Sequence, residues 1–523
     1  MKKLFVLLFS SAVWMERNAK RILFTWERSF SLSSIGWRRG PGRGGFHPFF
    51  DGPSLRLSPH SFLAGRESLL PAFFGFLTFF SQCGTAITSN AAEKPNIVFL
   101  LADDQGSHDV SWRGSEVKTP NLDKLALAGA RLENFYVQPV CSPTRASLMT
   151  GRYPMRYGLQ VGVIRPWAKY GLELEERLLP QALHEIGYTT AICGKWHLGS
   201  FDKAYWPNSR GFDHWYGHLF GALDYYKHIR DGEPDWYRNG VPNKDEGYTT
   251  HLLAREAVKI IHDQPKDKPL FLYVPFNAVH APHQVPEKYK EPYKNLPEPR
   301  RTYAGMVAAL DEAVGQIAAA IDETGRRKNT LFIFSSDNGG PAPGKVTSNG
   351  PLRAGKGTVY EGGVHTCAFA TWDDHIKAGS KVNAMAHMVD WYPTLLNLTG
   401  ASLKQKLPLD GRDIWPCITK GKPTPHEEIL CNASPTSGAI RVGDWKLVVN
   451  GSAKDADEEN AEPKPRKKRA PTAMKDQMEL FDLAADPSEK KNLAEERPDK
   501  VKELRARYDS FANAAVKPKN LNE

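Results

Sequence analysis

Six cysteines in 523 residues are too few to staple a fold of this size, which excludes a disulfide scaffold. Long apolar runs are missing as well. Neither stretch near the start, Leu4–Trp14 or Leu69–Phe80, reaches the roughly twenty residues a helix needs to cross a bilayer, so no integral membrane span is expected. No internal repeat is found, which sets aside solenoids and propellers. A distributed basic surface is also missing. Residues 1–93 hold eleven Lys/Arg against five Asp/Glu, which is +6 of the formal +10, so the excess belongs mostly to a tail and nucleic acid is not an expected partner. A second basic knot, Lys464 to Arg469, lies in an Ala-, Glu-, Lys- and Pro-rich stretch and reads as a solvated loop.

What is present is ordinary for a globular protein: 41% hydrophobic and 24% charged residues, in a chain too long for one hydrophobic core. The start resembles a targeting segment more than a fold. Met1-Lys2-Lys3 and its apolar run lack a small-residue cleavage site, whereas Arg66, the run Leu69–Phe80 and the small, polar Ser81–Ala92 form a better signal. Residues 1–93 are therefore expected to be an N-terminal extension with a signal-like segment at 66–92, and the protein to be exported. Lipid attachment at Cys83 is disfavoured by the Phe79-Phe80-Ser81-Gln82 that precedes it. With Cys141 set aside as reactive, Cys83, Cys193, Cys367, Cys417 and Cys431 form an odd set that cannot all pair.

From residue 94 the pattern becomes apolar strands alternating with amphipathic segments. The runs 96–102, 269–274 and 331–336 are continuous and apolar, the mark of strands buried on both faces of a sheet. Each delivers polar groups at its carboxyl end: Asp103-Asp104, the segment to His280, and Asp337-Asn338. That is the edge where open α/β sheets carry their sites. Asp103, Asp104, Asp337 and Asn338 are hard oxygen donors suited to Ca2+, with Mg2+ as the alternative, and three carboxylates gathered there repel one another without a cation.

Between those strand ends lies Cys141-Ser142-Pro143-Thr144-Arg145, continuing through Leu148, Thr150, Gly151 and Arg152. Gly187 to Gly199 carries Lys195 and His197 two residues apart, which strand alternation places on one side. These two segments resemble the two signatures of the sulfatase family. His280, with His283 a weaker candidate, and Lys356 in Gly355–Gly363 are similar to two further segments of that family, and the likeness covers nearly all of residues 95–500. Within the family the chain is most similar to the arylsulfatase B type, which releases sulfate from N-acetylgalactosamine residues. Gly350–Gly357 also approaches a nucleotide P-loop, but Gly357 stands where that motif needs Ser or Thr.

The resemblance implies an alkaline-phosphatase-like α/β/α sandwich with a large, mostly parallel sheet over 94–415. It also implies a smaller C-terminal α+β domain over 425–523, with a short antiparallel sheet and a charged insertion at 451–475. A formylglycine-generating enzyme would oxidise Cys141 to formylglycine, whose hydrate is the nucleophile against a sulfated carbohydrate. Asp103, Asp104, position 141, Asp337 and Asn338 would hold the cation. Lys195 and Lys356 would bind the sulfate, and His280 would bind substrate and protonate the leaving oxygen. His197 would assist release of sulfate, and Arg145 would hold the formylglycine turn. Two alternatives stay open here: a phosphate mono- or diesterase of the same superfamily, and a non-catalytic sulfated-sugar binder. The loops 160–170 and 202–235 hold Arg165, Trp167, Tyr225, Tyr226 and His228, which suit a sulfated sugar without naming one.

Overall fold

The computed structural model describes residues 93–434, 437–452 and 476–522. The signal-like segment 66–92, Cys83 and nearly all of the charged stretch 451–475 lie outside them.

Ten strands form the main sheet. In chain order they are β1 (Asn96–Ala102), β2 (Ala130–Leu132), β3 (Thr189–Lys195), β4 (His214–His218), β5 (Tyr237–Arg238), β6 (Val241–Pro242), β7 (Leu270–Pro275), β8 (Thr330–Ser336), β9 (Ala368–Thr371) and β10 (Ser380–Val382). Their spatial order is β10-β2-β9-β8-β1-β7-β3-β4-β5-β6. The five central strands, β8-β1-β7-β3-β4, are parallel, and antiparallel pairs begin outside them.

Central β1 shows why its sequence is an unbroken apolar run. Ile97, Phe99 and Leu101 enter one core, while Val98, Leu100 and Ala102 enter the other. A strand with helices on both faces has no solvent side and no reason to alternate polarity. The first core packs the helices Cys141–Thr150 and Trp391–Thr399, and the second packs Thr249–Asp263 and Arg300–Glu323. The last of these is long and apolar enough by composition to cross a membrane, but its Met306, Leu310, Val314 and Ile317 are buried in the second core. The result is an α/β/α sandwich.

A second sheet follows, of four antiparallel strands in consecutive order: β11 (Glu428–Ala433), β12 (Gly438–Val442), β13 (Trp445–Val449) and β14 (Met478–Asp482). The helix Pro498–Asn513 covers it through Leu504 and Tyr508. All five described cysteines are free and buried.

Candidate active site

The parallel register builds the site. Ala102 pairs with Ser336 at the ends of β1 and β8, so the next residues on each strand, Asp103 and Asp337, emerge side by side. β3 ends at Lys195, and the chain leaving β7 reaches His280 five residues later. Four strands thus deliver their chemistry to one carboxyl edge.

The helix Cys141–Thr150 starts at this edge. Pro143 sits in its first turn, where no intrahelical N–H is needed. Cys141 and Arg145 are four residues apart and so share a face, which gives the spacing its physical meaning. Arg145 is buried at 1% exposure. It donates to Asp337 Oδ2 from Nε (3.0 Å) and Nη2 (2.7 Å), and to the Lys195 carbonyl from Nη1 (3.0 Å). The Cys141 thiol lies 3.4 Å from Asp103 Oδ1 and 3.5 Å from Asn338 Oδ1.

Lys195 Nζ donates to Asp103 Oδ2 at 2.6 Å. Lys356 Nζ donates to Asp104 Oδ2 at 2.9 Å and to His280 Nε2 at 3.1 Å. With Arg145 on Asp337, each carboxylate has a cationic partner. The repulsion expected among three acids is therefore met inside the protein, which a reading of the acids alone misses. Burial, with Asp337 beside it, pushes Asp103 up to about 6. Burial and the neighbouring Asp103 and Asp337 hold the Cys141 thiol far above its ordinary range, so the unmodified thiol stays protonated and is a poor nucleophile.

His197 arrives differently from the way alternation suggests. β3 stops at Lys195, and His197 takes a left-handed φ of +59° beyond it. Its Nε2 donates to the Ile164 carbonyl at 3.0 Å, and its own carbonyl accepts from Ser142 Oγ at 3.0 Å. Gly194 is required immediately before Lys195, because a Cβ there would lie 1.9 Å from the Pro275 carbonyl oxygen. His283 lies edge-on to Tyr303. Gly350–Gly357 neither follows a strand directly nor opens a helix; its Gly357 N–H donates to the Pro139 carbonyl.

Two contributors take roles that the sequence does not signal. Ser142 Oγ also accepts from Ile164 N–H at 3.1 Å, coupling the helix Cys141–Thr150 to the following loop. Tyr225 is buried, and its hydroxyl lies 2.7 Å from the Asn277 carbonyl and 2.8 Å from the His280 carbonyl. Only their contacts identify them, since Ser and Tyr at these positions fit many roles.

The donor set fits a hard divalent cation. One ligand atom each from Asp103, Asp104, Cys141 and Asp337 fall within 4.8 Å of one another, and Asn338 adds a carbonyl oxygen at the thiol. Sulfur is the single soft atom in an otherwise oxygen-only set. Oxygen in its place would make the set uniform.

The sulfatase family model matches residues 95–401. The chain is similar to mouse Arylsulfatase J, with 38% identity over 470 residues covering 83% of this chain and 78% of that protein. It is similar to mouse N-acetylgalactosamine-6-sulfatase, with 35% identity over 387 residues and coverage of 69% and 73%. Among solved structures it superposes on Ps i-CgsB in complex with k-i-k-neocarrahexaose at a TM-score of 0.72 and 32% identity, covering 81% of this chain and 94% of that one.

Proposed function

This chain belongs to the sulfatase family and is a sulfuric ester hydrolase, and from that premise we propose that it removes sulfate from sulfated carbohydrates using formylglycine at position 141 and a divalent cation, Ca2+ before Mg2+. The carrying observation is the meeting at one sheet edge of Cys141, four hard oxygen donors and the two lysines Lys195 and Lys356. The names of the relatives support a carbohydrate: N-acetylgalactosamine-6-sulfatase on one side, a neocarrahexaose complex on the other.

Asp103, Asp104, Asp337, Asn338 and position 141 would hold the cation. The chemistry supplied by such a cation is Lewis acidity and neutralisation of anionic oxygen. The chemistry supplied by formylglycine is that of an aldehyde hydrate, an oxygen nucleophile. The rest belongs to side chains already in place. Lys195 and Lys356 bring two ammonium groups to where sulfate oxygens gather negative charge, a preorganised electrostatic contribution.

His280 is oriented by its Nδ1–H, which donates to the Ala281 carbonyl at 2.6 Å. Nε2 is thereby the atom presented to the site; it accepts from Lys356 Nζ, and once protonated it would be the position from which a proton reaches the departing sugar oxygen. Arg145 fixes Asp337 and the end of β3 together. His197, tied to Ile164 through Nε2, would assist the later release of sulfate. Export is supported by the signal-like segment 66–92, and a formylglycine-generating enzyme is the maturation partner this chemistry needs.

The test is a side-by-side assay of an aryl sulfate and the matching aryl phosphate, with mass analysis of the peptide holding position 141. A sulfate preference and a peptide lighter by the change from thiol to aldehyde are expected. A large phosphate preference favours the phosphoesterase reading. An unconverted Cys141 in active enzyme removes formylglycine from the scheme.

A further inference from the structure

Of the eight large hydrophobic side chains most exposed among the described residues, three are aromatic: Trp167 at 53%, Phe201 at 49% and Tyr226 at 44%. All three stand within four residues of a group bonded into the candidate site.

Trp167 follows Ile164 by three residues. Ile164 accepts from His197 through its carbonyl and donates its N–H to Ser142. Three residues of chain span at most about 10 Å, so Trp167 lies within that reach of a residue bonded to both His197 and Ser142. It sits near the tip of a turn closed by the Ala168 N–H on the Arg165 carbonyl, and Ala168 itself is buried.

Tyr226 is the neighbour of Tyr225, the residue whose hydroxyl braces the His280 carbonyl. A turn holds it out as well: Asp224 Oδ1 accepts from the N–H groups of Tyr226 (3.0 Å) and Lys227 (2.7 Å). Gln284 locks that turn to the His280 segment, accepting from Tyr225 N–H at 2.8 Å and donating to Asp224 Oδ2 at 2.9 Å. Phe201 lies four residues after His197 and packs at 5.1 Å against Tyr205. Its loop is tied to that of Trp167 by the Leu172 N–H on the Leu198 carbonyl.

Exposed aromatics on rigid turns lose apolar burial in the free protein and recover it on binding, with little ordering left to do. A pyranose ring has an apolar C–H face suited to such a surface, whereas the sulfate group requires the lysines beneath. We propose that Trp167 and Phe201, on loops tied to each other, and Tyr226, on a turn tied to the His280 segment, form an aromatic rim that takes the sugar rings flanking the reacting sulfate. The enzyme is thereby matched to sulfated oligosaccharides over small sulfate esters. This rests on the sulfatase reading above.

The experiment compares Trp167→Ala, Phe201→Ala, Tyr226→Ala and the control Leu174→Ala with the parent enzyme. One substrate is p-nitrophenyl sulfate; the other is whichever member of a panel of sulfated galactose and N-acetylgalactosamine oligosaccharides the parent desulfates fastest. For Trp167→Ala the ratio of oligosaccharide KM to aryl sulfate KM is expected to rise about tenfold, the loss of roughly one aromatic contact. The other two aromatic variants should show a rise of about threefold, Trp167→Tyr should restore most of the ratio, and Leu174→Ala should leave it where it was. An unmoved ratio in Trp167→Ala and Tyr226→Ala overturns the rim. So does a parent that cleaves the aryl sulfate but no oligosaccharide. A parent that cleaves neither ester overturns the sulfatase reading itself.

Discussion

Two buried ionic clusters lie within a few residues of one another in the chain, and only one of them can do chemistry. At the sheet edge, Asp103, Asp104 and Asp337 face Lys195, Lys356 and Arg145, with Arg145 also 3.7 Å from Asp103, around the start of a helix. Five residues after Lys356, Glu361 begins the second cluster. Lys446 of β13, fully buried, lies 2.8 Å from Glu361 and 2.9 Å from Glu489. Tyr136 donates to Glu361 at 2.7 Å, and the Glu361 N–H donates to Glu489 at 2.7 Å. Arg441 reaches the Tyr136 hydroxyl.

Charge and burial are alike in the two, so neither marks a catalytic centre. The difference lies in composition and mounting. The first cluster gathers strand ends, a potential nucleophile and a set of hard donors. The second has two acids sharing one lysine, sits against the four-stranded sheet, and anchors the loop that carries Lys356. That anchoring would hold in place the lysine proposed to bind sulfate.

That division is open to attack from both sides. Cys141→Ala should lower aryl sulfate hydrolysis by at least about 10³-fold, because a nucleophile has no substitute, with a thermal midpoint close to the parent's. Substantial residual turnover in the purified variant would move the nucleophile elsewhere. Lys446→Met should do the reverse. Two carboxylates would lose their shared ammonium, with only His365 left 3.1 Å from Glu361, costing about 3–5 kcal/mol, seen as a lower urea midpoint. Activity per folded molecule would survive at low temperature. A variant as stable as the parent would show that the second cluster is not the anchor argued here.

The sequence makes the first cluster far more legible than the second. A strand buried on both faces is an uninterrupted apolar run, and the acids that end it are visible by contrast, so Asp103 and Asp337 stand out before any coordinates. Cys141 and Arg145 are one helical turn apart, a local relation. Lys446 and Glu361 are 85 residues apart, and Glu361 and Glu489 are 128 apart. No periodicity links them, and a charged residue on a strand reads as solvent-facing until the layer above is known. The same limit applies to His197, whose left-handed backbone replaces strand alternation, and to Tyr225, which reads as a sugar platform but is buried as a brace for His280. The sheet's outer strands β5 and β6 are two residues each, too short to leave any pattern.

Smaller perturbations sharpen the contrast. His280→Ala should reduce kcat by about 10²-fold for a substrate with a poor leaving group. The loss should be far smaller for p-nitrophenyl sulfate, whose leaving oxygen needs little protonation. Equal losses on both substrates would make His280 a positioning residue only.

The smallest effect expected is a pH dependence in the second cluster. Burial, with Glu361 beside it, raises Glu489 to about 7, while Lys446 holds Glu361 well below the usual carboxylate range. In the unfolded chain Glu489 ionises near an ordinary glutamate value of about 4.3. Between those two points the folded protein binds more protons than the unfolded one, so this group's contribution falls as pH rises toward 7 and is level above it. Glu489→Gln has no proton to lose. Its unfolding free energy relative to the parent's, read from urea titrations, should therefore rise from pH 5 to pH 8, by an amount of the order of 1–2 kcal/mol. A difference that stays flat, or that moves in the parent's favour toward pH 8, would mean that Lys446 satisfies both glutamates fully. The second cluster would then be as evenly balanced as the first, and the contrast between them would rest on the nucleophile and the donor set alone.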